Sequence, residues 1–115
     1  MTTVDACATE LLKRGLDDWI QAAEVASVVQ SVDRQATSAD IRRVALEVID
    51  ELLRGEFMKA GDVTSDGFTE WSMTPAEAIE RIAREWSALS QSPELGEICW
   101  LSNTSKGDQR ARSAP

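Results

Sequence analysis

The stretch over residues 37–71 constrains the fold most, because it predicts a long amphipathic helix followed by a β-hairpin. Apolar residues recur every three or four positions and form one continuous stripe along the helix. The stripe contains Ile41, Val44, Ala45, Val48, Ile49, Leu52 and Leu53. Thr37 with Asp40 three residues later predicts the helix start, and Gly55 predicts a left-handed residue at its end.

The hairpin is predicted from two segments that can run extended, residues 56–63 and 68–71, around the turn dipeptide Asp66-Gly67. Two registers remain open at this point. A four-residue loop that ends at Gly67 places Val63 opposite Phe68, whereas a two-residue loop shifts the pairing. The register decides which side chains share a face of the sheet.

Two shorter helices are predicted before this stretch. The first covers residues 4–14 and ends at Gly15. The second begins with Asp17 as its N-cap and reaches Gln30. Its apolar period is formed by Trp19, Ile20, Ala23, Ala26 and Val29. The β-branched residues Val25, Val28 and Val29 leave a strand open as an alternative.

The fourth predicted helix has the best-marked start in the chain. Thr74 is the N-cap, Pro75 takes the first helical position, and Glu77 completes a capping box. The helix ends at residues 90–93. Its apolar stripe consists of Ile79, Ile82, Ala83, Trp86 and Leu89.

A short apolar run at residues 97–101 predicts the last strand. Because a lone strand leaves its backbone groups unpaired, it is expected to complete a three-stranded antiparallel sheet with the hairpin. From residue 104 onward no apolar residue is larger than alanine, so residues 104–115 are predicted to be a disordered tail. Residues 1–103 then form a single domain.

The chain resembles the winged helix-turn-helix superfamily over residues 11–71. The resemblance rests on the segment 23–29, the apolar stripe of the long helix and the hairpin over 55–71. It implies three N-terminal helices and a β-hairpin wing, and together with the fourth helix and the C-terminal strand predicted above they give an α+β fold with a small sheet. The last two elements are not part of the minimal fold. The ending over residues 96–101 also resembles that of small bacterial proteins, which implies no activity.

Length and composition are those of one globular domain, with 115 residues of which 43% are hydrophobic and 28% charged. No apolar run approaches the roughly 18 residues that a membrane span needs. The N-terminus lacks the positive charge and the apolar core of a signal peptide. The protein is therefore expected in the cytoplasm, without a membrane partner.

The residue types favour no enzymatic chemistry. Histidine, the commonest general base and transition-metal ligand, is absent, and no phosphate loop, nucleophile elbow or catalytic carboxylate pair is found. Cys7 and Cys99 match no metal spacing and are predicted to be small buried hydrophobic residues. Asp62, Asp66 and Glu70 lack the ligand alternation of a calcium loop. No catalytic, cofactor or metal site is predicted.

Charge and tryptophan content favour a protein partner. The net charge is −8, and since residues 102–115 carry +2, the body carries −10, which repels phosphate backbones and suits a basic protein. Trp86 and Trp100 lie in apolar stripes and are predicted in the core. Trp19 and Trp71 are predicted to be exposed anchors. The sequence thus predicts a protein-interaction module, such as a regulatory adaptor, an antitoxin or an immunity protein.

The alternative is a sequence-specific DNA-binding regulator. Arg42 and Arg43 lie in the first turn of the long helix, where a recognition helix meets bases, and Arg34 and Lys59 would add phosphate contacts. The same helix also carries Asp40, Glu47, Asp50 and Glu51, and the predicted wing tip has one anion and no cation. Nucleic acid is therefore the less favoured partner.

Overall fold

Five helices and four strands follow one another along residues 2–114, the part of the chain that the computed structural model describes. They are α1 (Thr3–Gly15), β1 (Ile20–Gln21), α2 (Ala22–Val32), α3 (Ser38–Arg54), β2 (Met58–Thr64), β3 (Gly67–Glu70), α4 (Pro75–Ser87), β4 (Trp100–Asn103) and α5 (Ser105–Ser113). Met1 and Pro115, the first residue of the predicted domain and the last of the predicted tail, lie outside the described residues. The predicted α+β class is confirmed.

The four strands form one antiparallel sheet in the order β1-β4-β2-β3. Ala60 of β2 lies opposite Leu101 of β4, which in turn lies opposite Ile20 of β1. All three side chains are buried, so they mark the face that packs against the helices. Because successive side chains in a strand alternate, Lys59 and Trp100 belong to the opposite face, which we call the outer face.

The helices bury the other side of the sheet. α1 contacts α2, α3 and α5, and α4 packs along α3. The largest side chains that are almost fully buried include Leu11, Leu12, Ile20, Ile49, Leu52, Met58, Ile82 and Leu101. The predicted apolar stripe of α3 therefore lies in the core.

Three helices begin with a reciprocal capping box. The threonine before the helix accepts a hydrogen bond from the backbone N–H three residues later, and the acid at that position accepts one from the threonine N–H. The pairs are Thr2–Asp5, Thr37–Asp40 and Thr74–Glu77. The hydrogen bonds from each threonine lower the pKa of the paired carboxyl group. The predicted starts at Thr37 and Thr74 are confirmed.

The end of α3 differs from the prediction. Gly55 is right-handed with φ −77°, and the left-handed residue is Glu56 with φ 60°. A Cβ on Gly55 would lie 2.5 Å from the ring of Phe57. Glycine is therefore needed here because Phe57 packs against it, and the chain reverses one residue later.

The hairpin has the first of the two predicted registers. Val63 lies opposite Phe68, and the Trp71 N–H donates to the Ala60 carbonyl oxygen at 3.0 Å. Pairing continues up to Gly67, whose φ of 100° permits the tight turn that follows β2.

The second predicted helix is wrong at its start. Asp17 and Trp19 lie outside any helix, Ile20–Gln21 form β1, and α2 begins at Ala22. Ile20 pairs with Leu101, which is far away in the sequence. Tertiary pairing therefore overrides the local helical period.

The last strand is also displaced from its predicted range of 97–101. β4 covers Trp100–Asn103, because Ile98 has a left-handed φ of 72° that interrupts an extended strand. Its antiparallel pairing with the hairpin is confirmed, but β1 raises the sheet from three strands to four among the described residues.

The tail over residues 104–115, predicted to be disordered, is helical over Ser105–Ser113. The Thr104 hydroxyl accepts from the Gly107 N–H and donates to the Glu56 carbonyl oxygen at 2.6 Å. Gly107 and Ala111 are buried, and a Cβ on Gly107 would lie 2.0 Å from the Phe57 carbonyl oxygen. Small residues and hydrogen bonds dock this helix, so the segment carries no large apolar residue that would predict it.

Candidate functional site

The structure separates the two tryptophans that were predicted to be exposed anchors. Trp71 is only 8% exposed, because its pairing with Ala60 turns it to the core face. The guanidinium of Arg81 lies 3.8 Å from the centre of its ring. The prediction for Trp71 is therefore wrong. Trp19 is 38% exposed, as expected for a residue that contacts a partner.

Trp19 belongs to a cluster of apolar side chains on the outer face of the sheet. Residues adjacent to the buried Ile20 and Leu101 turn to this face, as do Val63 and Phe68, which form one cross-strand pair. We call Trp19, Val63, Phe68 and Trp100 the aromatic face. Val63, Phe68 and Trp100 are half-buried, so the cluster is partly open to water.

The rings of Trp19 and Phe68 stack on each other, with centroids 6.4 Å apart and planes inclined by 27°. Trp19 precedes β1 and Phe68 lies in β3, so the stack joins the two opposite edges of the sheet. Offset stacking of this kind is favourable for aromatic rings. The stack holds Trp19 against Phe68 within the aromatic face.

Gly61 of β2 makes this stack possible. A Cβ at this position would lie 2.8 Å from Cζ of Phe68 and 2.2 Å from the Thr69 carbonyl oxygen. The absence of a side chain therefore lets the Phe68 ring lie across β2. At the end of the hairpin, Gly67 lies beside Trp19, whose nearest ring atom is 3.7 Å from the position of a Cβ.

Acidic side chains lie close to Trp19 of the aromatic face. A shallow groove beside Trp19 is lined by Leu16, Asp17, Asp18 and Asp108 among others. The backbone N–H of Trp19 donates to the Asp18 carboxylate at 2.7 Å, which fixes this carboxylate beside the Trp19 backbone. The groove lining therefore combines the apolar side chains of Leu16 and Trp19 with three carboxylates.

A second shallow groove lies beside Phe68 and is lined by Lys59 and Glu70. Lys59 is the only cation that lines either groove among the described residues, and its Nζ lies 3.3 Å from the Glu70 carboxylate. Because Lys59 and Glu70 neutralise each other, the remaining charged residues that line the two grooves are acidic, and the local charge is negative. Such a surface can stack against flat or cationic groups, and it disfavours anions.

The cations of the DNA-binding alternative do not form one exposed surface. Arg43 forms ion pairs with Asp40 and Glu47 on its own helix, at 3.5 and 3.6 Å. Lys59 lies on the outer face of the sheet. Arg34 and Arg42 are exposed, and no ion pair of either is found within residues 2–114. Thr64, Ser65 and Asp66 at the tip of the hairpin are exposed, and none of them is a cation.

The cysteines are free, buried side chains, as predicted. Burial raises the pKa of Cys99 to about 12 and also raises the pKa of Cys7. Neither thiol is therefore prepared for nucleophilic attack at neutral pH. In the part of the chain that is described, no group of three acidic or cysteine side chains is arranged to hold a metal ion.

Of these residues, only Trp19 is predicted at an interface from the sequence; Phe68 is not, and Trp100, which is predicted in the core, is half-buried on the outer face. A usable signal for Phe68 was present, because the register with Val63 opposite Phe68 puts both on the face away from Met58 and Ala60. The stack on Trp19 could not be inferred, since it depends on β1, a strand that the sequence did not predict.

Comparison with known proteins identifies no relative: no family model, no curated protein and no solved structure matches the chain. Within residues 2–114, none of the helices combines the length and the apolar composition that a membrane crossing requires.

Proposed function

We propose that the protein is a protein-interaction module that binds a basic partner through its aromatic face. The observation that carries this proposal is the stack of Trp19 on Phe68, in which Trp19 is exposed and lies beside a groove lined by carboxylates. Tryptophan is the residue type most enriched at binding hot spots, and a ring of this size supplies a large contact area at low entropic cost. A regulatory adaptor, an antitoxin or an immunity protein would use such a surface.

The scaffold that we propose is a winged helix. Elements α1 to β3 follow the order helix, strand, helix, helix, strand, strand, which supports this assignment. α4, β4 and α5 are additions to it, and β4 lies between β1 and β2. In this arrangement the wing contributes Phe68 to the aromatic face rather than a basic tip to a DNA groove.

Charge supports the choice of a basic partner. The net charge of −8 would speed the encounter with a positive protein and repel an acidic one. At the surface itself, a lysine or arginine of the partner could stack on Trp19 and approach Asp17 or Asp18. A cation over an aromatic ring contributes about 0.5–2 kcal/mol, depending on how far it is desolvated.

Selection from a random peptide library against the full-length chain, followed by titration of the selected peptides, tests this proposal. We expect basic peptides, and we expect Trp19→Ala to weaken their binding about tenfold or more. Val32→Ala is the matched control, because Val32 is also exposed but lies at the other end of α2 from β1. Selection of acidic peptides, or equal affinities of the two variants, would contradict the proposal.

The second candidate is DNA binding through α3. It is favoured by Arg42, in the first turns of α3, and by Arg34, since both are exposed and have no ion-pair partner among the described residues. The paired states of Arg43 and Lys59 count against it. We therefore rank it second.

A further inference from the structure

β3 forms one edge of the sheet, and its hydrogen-bonding pattern leaves part of its backbone unpaired. The Trp71 N–H donates to Ala60, which identifies this pair as a hydrogen-bonded one. In an antiparallel ladder, hydrogen-bonded and non-hydrogen-bonded pairs alternate. Thr69 therefore directs its backbone groups to β2, whereas Phe68 and Glu70 direct theirs away from the sheet.

Two further observations agree with this assignment. The Thr69 carbonyl oxygen lies 2.2 Å from where a Cβ of Gly61 would be, so this carbonyl points toward β2. Within residues 2–114, the backbone of Phe68 and Glu70 makes no hydrogen bond outside the β2–β3 ladder. The edge also lacks the lysine or proline that often blocks strand addition.

We infer that the basic partner binds as an added strand, which pairs with β3 through the outward backbone groups of Phe68 and Glu70. The inference rests on the proposed function, because the added strand continues the outer face of the sheet. Every second side chain of that strand lies on the same face as Phe68, Glu70 and the stacked Trp19. Main-chain hydrogen bonds would supply affinity, and these side chains would supply specificity.

The charged residues at the β3 edge favour a cationic strand as the partner. Glu70 lies on the outer face and Asp66 is exposed at the turn before β3, while Lys59 is paired with Glu70 at 3.3 Å. A lysine or arginine opposite Glu70 would share this carboxylate, and its neighbour two positions along would lie over the aromatic face. The partner segment is therefore expected to be extended, with basic residues at alternate positions.

A second copy of the chain is the less favoured occupant of this edge. Each copy carries a net charge of −8, and β3 offers Glu70 but no cation to the Glu70 of a second copy. Like charges that face each other across a sheet are destabilising. The same charge favours a basic strand from another protein.

The probe for this inference is a capped peptide of alternating lysine and valine, of the length of β2, added at up to about 1 mM to the 15N-labelled full chain. We expect the amide hydrogens of Phe68 and Glu70 to exchange at least about tenfold more slowly at saturation. A peptide of alternating glutamate and valine should leave the exchange unchanged. The indole N–H signal of Trp19, which NMR separates from those of the other three tryptophans, is followed in the same samples.

Glu70→Pro and Glu70→Ala form a matched pair of variants. Both remove the carboxylate, but only proline removes the outward N–H, and an edge position tolerates proline. We expect Glu70→Pro to bind the lysine–valine peptide about tenfold more weakly than Glu70→Ala. Circular dichroism of both variants checks the fold, and the exchange experiment on the unmodified chain gives an answer even if Glu70→Pro unfolds.

The outcomes separate this inference from the proposed function. Binding that shifts the indole N–H signal of Trp19 without protecting the amides of Phe68 and Glu70 would overturn strand addition and leave the aromatic face as the site. Absence of binding of the lysine–valine peptide would overturn strand addition by a basic partner. The same conclusion would follow if the free chain forms a dimer that Glu70→Pro dissociates. If the peptide protects the amides of Phe68 and Glu70 equally in the unmodified chain and in Trp19→Ala, strand addition at the β3 edge is supported and the role of the aromatic face is contradicted.

Discussion

Cys99 is a free thiol held away from water, with 1% of its surface exposed. Burial raises its pKa from the ordinary value of 9.0 to about 12, and the nearby Glu85 carboxylate acts in the same direction. The folded protein therefore keeps Cys99 protonated, while the unfolded chain ionises it near pH 9. This contribution to stability is present below pH 9 and is lost as the pH rises toward 12.

The first prediction is that Cys99 does not react with a thiol reagent in the folded protein at neutral pH. The reactive species is the thiolate, which is scarce and inaccessible in this environment. Labelling is measured in Cys7→Ala, which leaves Cys99 as the only thiol. Stoichiometric labelling is expected only in denaturant, and fast labelling of the folded variant would contradict the burial of Cys99.

Trp19 and Trp71, which are both predicted to be exposed anchors, turn to different faces of the sheet because they occupy different positions relative to the strand pairs. Trp71 pairs with Ala60 and turns to the core, whereas Trp19 is adjacent to the buried Ile20 and turns outward. A side-chain period of two fixes the face of a residue only when the register is known. The sequence left the register open and did not predict β1, so it could not separate these residues.

Among the elements, α4 offers a direct test of the capping box. The hydrogen bonds from Thr74 lower the pKa of Glu77 below its ordinary value of 4.5. In the range below pH 4.5 the unfolded chain therefore binds more protons than the folded one. The stability that this interaction contributes is present above pH 4.5 and is lost as the pH falls through the lower pKa of the folded state.

The second prediction is that Glu77→Gln loses less stability than the unmodified protein between pH 6 and pH 3, because glutamine keeps a capping group but has no proton to gain. Glu80→Gln, which changes an exposed acid of the same helix without touching the box, should lose as much as the unmodified protein. Chemical denaturation at each pH measures the difference. Equal pH dependence in the two variants would show that the box does not form.

The third prediction concerns α5, which docks through Gly107 and Ala111. Ala111→Asp places a charge in a site that is 4% exposed and should cost more than about 2 kcal/mol of unfolding free energy. Gln109→Asp adds the same charge at an exposed position and should change stability by less than about 0.5 kcal/mol. Equal effects of the two changes would favour the disordered tail that the sequence predicted.

The sequence located elements whose signals are local. Thr37 and Thr74 cap their helices as predicted, and Asp66-Gly67 lies at the turn of the hairpin. β1 and α5 were missed because each depends on distant partners, Leu101 for the first and Phe57 for the second. Neither segment contains a long apolar pattern from which the element could be predicted. The aromatic face could not be predicted for the same reason, because its residues come from both edges of the sheet.

On the scale of the whole molecule, opposite sides carry different chemistry. The helices bury one face of the sheet, and the other face carries partly exposed aromatic rings next to a groove lined by carboxylates. Of the cations near α3, Arg43 is paired with Asp40 and Glu47, whereas Arg34 and Arg42 are exposed and have no ion pair among residues 2–114. A net charge of −8 adds a general repulsion for phosphate backbones.

The fourth prediction follows from this distribution of charge: the protein should not bind any DNA sequence more tightly than about 1 μM near physiological salt, against roughly 10⁻⁸ to 10⁻¹¹ M for specific regulators. A winged helix that reads DNA neutralises several phosphates, so its affinity falls steeply with salt. Of the four cations considered for that role, only Arg34 and Arg42 are without an ion pair among the described residues. Two contacts cannot offset the field of the body.

Selection from a random DNA library, followed by titration at two salt concentrations, measures this directly. A steep salt dependence together with a defined motif would contradict the prediction, provided that Arg42→Ala with Arg43→Ala abolishes binding. Trp19→Ala is the opposing control, because it should weaken a protein partner and leave DNA binding unchanged. The two variants therefore assign binding activity to α3 or to the aromatic face, since the altered residues lie on different elements of the fold.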